Sequence, residues 1–385
     1  MDQRAGGAAG GEAMSGQISL VVTTIGDGAF LNDYAAAAEK EQVKGDLTMI
    51  VIPDKKTPAG IFEQAAALRA RGFAVACPTV EEQDAYLAKL GKIKEIVPYN
   101  SDNRRNIGYL MAYEKRCDVM ISIDDDNYPT KDFFRGHLVV NQQVSLETID
   151  SNLGWYNICE LLEIDTDRTY PRGFPYKKRH QPAAVTTKKE AGVVRINAGL
   201  WLGHPDIDAV SCLHGPTKAR SFRGRSFFLG RDTWSPLNTQ NTAMSRDAIA
   251  AYYFAKMGYP LIGLSIDRYG DIFSGYFLQA CARQLGHRIR VGTPIVDHRR
   301  NSHNYLKDLT QELACILMLE EVTDWLHDLK LSGSDYPSAY AALADALAAQ
   351  ADKFQGFIWT DASREYLRVL SQCLKTWLGA VKTLS

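Results

Sequence analysis

Excess charge of either sign is nearly absent from this 385-residue sequence, in which 44 Lys and Arg residues stand against 45 Asp and Glu residues for a formal charge of −1. A chain without a large net charge has no general electrostatic attraction for nucleic acid or for an anionic membrane. We therefore expect no nucleic-acid partner. Any anionic ligand must be recognised by a local group of cationic side chains.

Cysteine motifs and long apolar runs are also lacking. The seven cysteines are odd in number, widely spaced and never form Cys-x-x-Cys, which argues against a disulfide framework or a zinc cluster and favours a reducing, cytoplasmic location. Residues 1–16 are rich in Gly and Ala and have no apolar core of a secretion signal, so we predict a disordered leader. No apolar run approaches the ~20 residues that span a bilayer, so we expect no membrane partner.

Three common cofactor or nucleophile motifs are missing. The sequence has no Gly-x-x-x-x-Gly-Lys-[Ser/Thr], no Gly-x-Gly-x-x-Gly after its first predicted strand and no Gly-x-Ser-x-Gly. A P-loop NTPase, a dinucleotide-binding domain and a serine hydrolase therefore lack their anchoring residues. In particular, the sequence offers no site for FAD.

What the sequence does contain is an alternation of strand and helix patterns in a chain that is 45% hydrophobic. Short β-branched runs at 18–24, 47–52, 73–76 and 119–123 alternate with helical patterns at 29–43, 61–70, 79–90 and 107–115. The third helical pattern begins with Thr79 and Glu82 at the spacing of a capping box. This alternation predicts an α/β fold with a parallel sheet covered by helices.

Periodicity weakens over residues 127–236, which predicts long loops and short strands that carry substrate contacts. Beyond this region we predict a helix near 247–257, a helix ending near 285 and a strand near 289–291. The tail from 306 to 385 has the apolar spacing of several amphipathic helices, which either cover the core or join copies in a homo-oligomer. The predicted regions are the leader, a main domain over 17–305 and a helical extension over 306–385.

The strongest local signal is Asp124-Asp125-Asp126, which directly follows the apolar strand at 119–123. Ligands of open α/β sheets bind beyond the carboxyl ends of strands. Carboxylates at that position can hold Mg²⁺ or Mn²⁺ and leave coordination positions open for phosphate oxygens. The alternative is a solvated acidic turn, which mutual repulsion of three neighbouring charges disfavours.

Five other side chains are candidates for the same chemistry. Arg104 or Arg105, which open a helix, would clamp a diphosphate, or else they pair with surface acids. Arg172 lies in Pro-Arg-Gly-Phe-Pro-Tyr and is expected to act as a charged clamp, because guanidinium is a poor nucleophile. Asp271 is either a helix N-cap or a carboxylate that binds sugar hydroxyls. His298 is either structural or a third metal ligand.

Together these blocks resemble the reversibly glycosylated polypeptide or UDP-arabinopyranose mutase family, glycosyltransferase family 75. The resemblance extends over residues 18–320 and rests on six blocks and on His298. The blocks are I-D-D-D (123–126), R-G-F-P-Y (172–176), G-L-W-L-x-x-P-D-x-D-A (199–209), N-T-A-M-S-R-D (241–247), R-Y-G-D-x-x-x-G (268–275) and L-G-H-R-I-R-V-G-T-P (285–294).

The resemblance implies a GT-A type nucleotide-diphospho-sugar fold and a reversible pyranose–furanose interconversion of a nucleotide sugar, with Mn²⁺ or Mg²⁺ and without flavin. It also implies that the arginine of the R-G-[YF]-P block, here Arg172, becomes glycosylated. The residues it assigns fall into three groups. The catalytic residues are Arg172, Asp271 and Asp125; the nucleotide-binding residues are Thr24, Asp54, Arg104, Arg105, Asp124 and Asn241; the metal ligands are Asp124, Asp126 and His298.

The chain departs from the plant members of this family where base or sugar would be recognised. It has Gly270 in place of an acid, Ala198 in place of a histidine, and V-I-P-D-K at 51–55 in place of V-Q-D-G-D. A bacterial mutase acting on a GDP-galactose-type substrate is therefore favoured over one acting on UDP-arabinose. The alternatives are a metal-dependent glycosyltransferase with a separate acceptor and a self-glycosylated nucleotide-sugar-binding protein.

Overall fold

The computed structural model describes residues 16–261, 263–300 and 303–385. The leader predicted for residues 1–16 therefore lies almost entirely outside the described residues. Among the helices of the described ranges, none combines the length and the apolar composition that crossing a bilayer requires.

Strands and helices alternate through the first third of the chain, as the sequence predicts. The strands are β1 (Ile18–Thr24), β2 (Leu47–Pro53), β3 (Ala74–Ala76), β4 (Val119–Ile123), β5 (Asn127–Pro129), β6 (Gln143–Ser151), β7 (Leu162–Ile164), β8 (Val185–Gly203), β9 (Ala219–Phe222), β10 (Phe227–Leu229), β11 (Asn241–Ser245), β12 (Tyr259–Leu261), β13 (Leu264–Ile266) and β14 (Arg288–His298). The helices are α1 (Leu31–Lys40), α2 (Gly60–Ala70), α3 (Val80–Ala88), α4 (Arg105–Glu114), α5 (Phe133–His137), α6 (Ala209–His214), α7 (Arg246–Ile249), α8 (Gly270–Gln284), α9 (Tyr305–Asp328), α10 (Tyr336–Gln350) and α11 (Asp361–Thr383). The predicted capping box of Thr79 and Glu82 is present at the start of α3.

The main sheet is mixed, and its order is β3-β2-β1-β4-β11-β8-β6-β10-β14-β5. Its first four strands are parallel. β1 and β4 are apolar almost throughout and buried on both faces, which is the pattern that parallel strands covered by helices require. β11 then pairs antiparallel with β4. The predicted mixed sheet of a GT-A type fold, with a C-terminal helical region, is confirmed.

Six strands bring their carboxyl ends to the same edge of this sheet. β1, β2, β3 and β4 are parallel. β8 points the same way as β4 because each is antiparallel to β11, and β14 is parallel to β8 with His298 opposite Gly203. The residues that follow these strand ends therefore converge on one crevice, which is where open α/β sheets bind ligands.

The prediction of only short strands over residues 127–236 is wrong for β8, which has 19 residues and pairs along its first half with the 9-residue β6. The first half of β8 is exposed and reads V-T-T-K-K-E-A-G, so it lacks the alternation of apolar and polar residues that indicates a strand. β14 is likewise longer than predicted. It ends at His298 rather than before the Gly-Thr-Pro segment.

The helix predicted near 247–257 is also wrong, because α7 ends at Ile249 and the chain continues without helical structure to Gly258. Side chains from elsewhere satisfy the backbone of this buried segment. Asn106 accepts from Phe254 N and donates to Phe254 O, and Ser274 accepts from Ala255 N. These tertiary hydrogen bonds replace the helical ladder that the apolar spacing predicts.

The C-terminal helices turn their apolar faces toward the rest of the chain. In α11, Trp377 is buried and its indole Nε1 donates to Ala250 O at 3.0 Å. Tyr366 Oη donates to Lys256 O at 3.1 Å. The apolar faces of these helices therefore cover the core. A homo-oligomer formed through the same helices stays a prediction, as does a domain boundary near residue 305.

Candidate active site

The acidic turn between β4 and β5 places Asp124, Asp125 and Asp126 half-buried at the sheet edge. Asp124 Oδ1 accepts a hydrogen bond from Arg105 Nη2 at 2.6 Å. Burial raises the pKa of Asp124 to about 6, against the opposing effect of Arg105. The acidic turn is thus partly enclosed by protein, and the alternative of a solvated turn is wrong.

Asp125 contacts the end of β1. Its Oδ2 accepts a hydrogen bond from the hydroxyl of Thr24 at 2.6 Å, and that hydroxyl also accepts from Gly26 N at 2.9 Å. Burial raises the pKa of Asp125, and the Thr24 hydroxyl acts in the opposite direction. The structure therefore brings together Thr24 and Asp125, two of the predicted site residues, and their hydrogen bond fixes the orientation of the Asp125 carboxylate.

Asp126 faces His298 across the edge, with Asp126 Oδ2 3.3 Å from His298 Nε2. The other ring nitrogen, Nδ1, lies 2.6 Å from His204 O and must donate to it, because a carbonyl oxygen can only accept. Burial alone would lower the pKa of His298, but the Asp126 carboxylate raises it overall. This arrangement directs Nε2 of the imidazole toward the carboxylate.

The Asp126–His298 pair fits a divalent cation. A ligating histidine typically donates its second ring N–H to a carbonyl or carboxylate, as Nδ1 does here. Mg²⁺ is usually bound by one or two protein groups together with substrate phosphates. Within the described residues no three His, Cys, Asp or Glu side chains are grouped as metal ligands, so the structure does not bring Asp124 together with Asp126 and His298 as a three-residue ligand set. A cation at the Asp126–His298 pair would need further ligands from the substrate.

Neither arginine predicted to clamp a diphosphate extends into the crevice, and both are buried. Arg105 binds Asp124, Ser122 Oγ and Thr239 O. Arg104 donates from Nε and Nη2 to Gln83 Oε1. The prediction that Arg104 or Arg105 clamps a diphosphate is therefore revised. The alternative of pairing with an acid describes Arg105, whose partner Asp124 is half-buried at the sheet edge, whereas Arg104 binds Gln83 and lies 3.9 Å from the buried Asp54.

Asp54 follows β2 and organises the neighbouring part of the edge. Its Oδ1 accepts from Lys55 N at 2.7 Å and its Oδ2 from Ser101 N at 3.2 Å. The ammonium of Lys55 lies 3.5 Å from the centre of the Tyr99 ring. Asp54 is thus placed beside a cation and an aromatic ring, at the end of the crevice formed by the parallel strands.

Arg172 lies between two buried carboxylates, Asp206 and Asp271. Its Nε donates to Asp206 Oδ1 at 2.9 Å, and its Nη1 donates to Asp271 Oδ1 at 3.0 Å and to Arg268 O at 2.6 Å. Its Nη2 donates to the second oxygen of each carboxylate. Asp271 lies in the first turn of α8, whose N-cap is Tyr269, so the prediction of an N-cap at Asp271 is wrong.

Asn241 is fully buried and its amide is used inside the protein. Its Oδ1 lies 2.8 Å from His137 Nε2, and its Nδ2 donates to Leu200 O and Pro294 O. A Cβ at Gly199 would lie 2.2 Å from Asn241 Nδ2, so glycine is needed there. The prediction that Asn241 binds nucleotide is therefore revised: its amide joins strands.

Two residues at this edge were missed by reasoning from the sequence. Asp206 follows β8 just as Asp124 follows β4, so the strand-end rule would have found it had β8 been predicted. Arg300 lies two residues beyond His298, donates to Cys212 Sγ at 3.4 Å and acts to lower the pKa of Asp126. It is the second of two arginines, after Arg299, that follow the strand ending at His298.

A family model described as reversibly glycosylated polypeptide matches residues 18–378. The chain belongs to the reversibly glycosylated polypeptide family. This match includes every residue of the candidate site and extends through α9 and α10 into α11.

Curated relatives of this family member are plant proteins. It is 26% identical to probable UDP-arabinopyranose mutase 1 of Pisum sativum and 27% identical to UDP-arabinopyranose mutase 2 of Arabidopsis thaliana. Each match spans 63% of this chain and 63% of the relative. A third, UDP-arabinopyranose mutase 3 of Arabidopsis thaliana, is 24% identical over 77% of this chain and 76% of its own length.

Solved structures of glucosyl-3-phosphoglycerate synthase from Mycobacterium tuberculosis are more distant. One complex with phosphoglyceric acid has a TM-score of 0.39 at 13% identity and covers 79% of this chain and 80% of that chain. A complex with Mn²⁺, UDP-glucose and phosphoglyceric acid has a TM-score of 0.40 at 12% identity, with coverages of 83% and 85%. The fold assignment therefore rests on the sheet order described above.

Proposed function

We propose that this protein interconverts the pyranose and furanose forms of a nucleotide-diphospho-sugar, with a divalent metal and without flavin. The observation that carries this proposal is the convergence of Asp124, Asp125, Asp126 and His298 at one sheet edge, in a chain of the reversibly glycosylated polypeptide family. The relatives named above as UDP-arabinopyranose mutases support the same reaction class.

In this proposal the diphosphate lies at the Asp126–His298 end of the crevice. These two residues, with Asp124 beside them, would hold Mn²⁺ or Mg²⁺, which supplies positive charge to the diphosphate oxygens. Arg300, rather than Arg104 or Arg105, is the arginine proposed to contact the diphosphate, because it is half-buried close to Asp126. A diphosphate held by these groups is a better leaving group and stays bound for recombination.

The sugar and nucleoside occupy the neighbouring residues. Asp125, oriented by Thr24, is proposed to accept hydrogen bonds from sugar or ribose hydroxyls. Asp54, Lys55 and Tyr99 are proposed to contact the base. Asp271, held by Arg172, is proposed to face the sugar as the bond between its anomeric carbon and the diphosphate oxygen breaks.

The finer proposal is a GDP-galactose-type substrate. Its support is the departure from the plant pattern at residues 51–55, Ala198 and Gly270. The packing explains why one of these positions is a glycine, but it does not bear on the substrate: a Cβ on Gly270 would lie 2.4 Å from Phe254 Cε1 and 2.7 Å from Ala255 O. The acidic side chain found there in plant members does not fit beside Phe254 without a rearrangement.

The test is to incubate purified protein and Mn²⁺, with no added flavin, with UDP-arabinopyranose and GDP-galactopyranose separately and to follow furanose formation by NMR. We expect conversion of the GDP-galactose substrate, loss of conversion with EDTA and recovery on adding Mn²⁺. Asp126→Asn should reduce turnover by about a hundredfold or more, whereas Asp345→Asn, at an exposed position of α10, should not. Full activity of Asp126→Asn in metal-free buffer would contradict the proposal, and acceptor-dependent transfer in place of isomerisation would indicate a glycosyltransferase.

A further inference from the structure

A cavity lies at the edge of the sheet opposite the crevice. Its volume is about 230 Å³, and residues of the ranges 229–234, 279–286 and 287–289 line it. These ranges are the end of β10 with its following loop, the C-terminal end of α8 and the start of β14. The 11 residues of β14 lead from this cavity to His298 in the crevice, a distance of roughly 30 Å at ~3.3 Å per residue. We call it the distal cavity.

Three arginines line the distal cavity, and each comes from a different element. Arg231 follows β10, Arg283 lies in the last turn of α8 and Arg288 opens β14. Within the described part of the chain, none of the lining residues is acidic. The end of α8 carries about half a negative charge from the helix dipole, which the three arginines outweigh. The wall of this cavity is therefore cationic.

Part of this positive charge is already neutralised, and part is available to a ligand. Arg283 Nη2 pairs with Asp232 Oδ1 at 2.7 Å, and Arg288 Nη2 lies 3.3 Å from Glu190 Oε2. Arg231 is exposed and forms no ion pair with any residue that the structure describes. One unpaired guanidinium beside two partly engaged ones offers several forked N–H donors to an anion.

The floor of the distal cavity is apolar and held in place. Leu229, Trp234 and Ile289 line it and are more than nine-tenths buried. Trp234 N donates to Gly154 O and Trp234 O accepts from Tyr156 N, both at 2.9 Å. Cationic groups above an apolar floor suit a ligand with an anionic group and a less polar body. The volume lies below the ~300 Å³ at which sites for drug-sized ligands begin, so the ligand is smaller than a nucleotide-diphospho-sugar.

We propose that the distal cavity binds a small phosphate ester of the size of a sugar phosphate. A dianionic phosphate group can give an oxygen to each of the three guanidiniums, whereas a carboxylate has only two oxygens. The carbon body of the ester lies on the apolar floor. Binding is non-covalent and uses no group of the crevice. The inference is independent of the proposed function, since it concerns the opposite edge of the sheet.

Calorimetric titration of the full chain with glucose 1-phosphate, without added metal, tests this site. The ionic strength is kept constant, because salt screens exposed charges such as Arg231. We expect one site per chain and weaker binding of inorganic phosphate, which has no body to cover the floor. Arg231→Gln should weaken the affinity by about tenfold, because charge-assisted hydrogen bonds are lost, and Arg231→Glu should abolish binding.

The matched control is Arg225→Gln, which should leave the affinity unchanged. Arg225 is also exposed, but it pairs with Glu147 at 3.0 Å and does not line the cavity. Because Arg231 and Arg225 are both exposed, neither replacement should alter the thermal melt of the free protein. A matching loss of affinity in the Arg225 and Arg231 variants would overturn the proposal.

A variant of the crevice locates the ligand. Asp126→Asn should bind glucose 1-phosphate as the wild-type protein does. The proposal fails if the wild-type protein binds no glucose 1-phosphate, or if Asp126→Asn loses the binding that Arg231→Glu retains. Malonate that binds as tightly as glucose 1-phosphate would also overturn it, because the site would then not select a phosphate group. Activity of the protein on nucleotide sugars enters none of these outcomes.

Discussion

At the scale of single residues, three consecutive carboxylates are tolerated because each has a different partner from a different element. Asp124 binds Arg105 from the start of α4, Asp125 binds Thr24 from the end of β1, and Asp126 faces His298 from the end of β14. The partners offset the mutual repulsion of the acids. They also give each carboxylate a different task, since Asp126 alone of the three is aligned with an imidazole.

Replacement of Asn241 should lower stability without weakening nucleotide binding. In Asn241→Ala the carbonyl oxygens of Leu200 and Pro294 and the Nε2 atom of His137 lose the hydrogen bonds that Asn241 makes to them, and each buried unpaired group costs about 1–3 kcal/mol. Chemical denaturation measures the loss of unfolding free energy, and calorimetric titration with GDP and UDP measures the affinity. The exposed Asn32→Ala is the control; a weaker affinity at unchanged stability would return Asn241 to the nucleotide site.

Acid should destabilise the protein partly through His137. Burial lowers the pKa of this histidine to about 3, whereas in the unfolded chain it titrates near pH ~6.5. Below that pH the unfolded state binds the extra proton, so stability rises with pH and is lost as pH falls from about 6.5 toward 3. The contribution at pH 5 amounts to about 2 kcal/mol.

Denaturation of His137→Gln at pH 7.5 and pH 5 measures this effect. The variant should lose less unfolding free energy than the wild-type protein between the two values, because it has no buried imidazole to protonate on unfolding. The exposed His214→Gln serves as the control. An equal acid sensitivity of His137→Gln and the wild-type protein would be inconsistent with a neutral, buried His137.

At the scale of elements, the buried segment after α7 depends on Gly270. A Cβ at this position would lie 2.4 Å from Phe254 Cε1 and 2.7 Å from Ala255 O. Gly270→Ala should therefore lower the unfolding free energy by about 1–3 kcal/mol, as overpacking does. Gly379→Ala is the matched control, since no atom lies within 4 Å of its added Cβ and alanine in a helix is favoured by about 1 kcal/mol. Thermal melts should show a lower Tm for Gly270→Ala and a higher Tm for Gly379→Ala than for the wild-type protein. Equal shifts of Tm in the two variants would contradict this description of the packing.

The elements that could be predicted from the sequence are those whose own residues determine them. β1 and β4 are apolar on both faces, and α3 begins with its own capping box. The segment from Ala250 to Gly258 could not be predicted, because its hydrogen bonds come from Asn106 and Ser274, which lie far away in the sequence. The exposed half of β8 forms a strand because it pairs with β6. Its sequence has no alternation of apolar and polar side chains that would have predicted a strand.

The site residues that could be predicted are also those whose signal lies in the sequence next to them. The acids after β4 are visible because they directly follow an apolar strand, and His298 was found through the family resemblance. The burial of Arg104 and Arg105 was not foreseen, since the partners Gln83 and Asp124 become neighbours only in the folded sheet. The role of Asp206 depends on the three-dimensional position of Arg172.

At the scale of the whole molecule, the C-terminal helices pack against the rest of the chain, and we expect them to unfold together with the sheet. Trp377 in α11 is fully buried and donates to Ala250 O, which lies in the segment that packs beside α4 and α8. Trp377→Ala should lower the unfolding free energy by about 3–5 kcal/mol and move one single transition to lower temperature. Calorimetry that resolves two separate transitions in the wild-type protein would contradict this, as would a Trp377→Ala variant in which only part of the protein loses stability.

The central claim is that one protein breaks and remakes the bond between sugar and diphosphate while retaining both fragments. Positional isotope exchange measures this directly, with ¹⁸O placed in the oxygen that bridges the anomeric carbon and the β-phosphorus of GDP-galactopyranose. During turnover with Mn²⁺ the label should scramble into the non-bridging β-phosphate oxygens, and Asp126→Asn should suppress the scrambling. Furanose formation with the label still confined to the bridge would contradict the account.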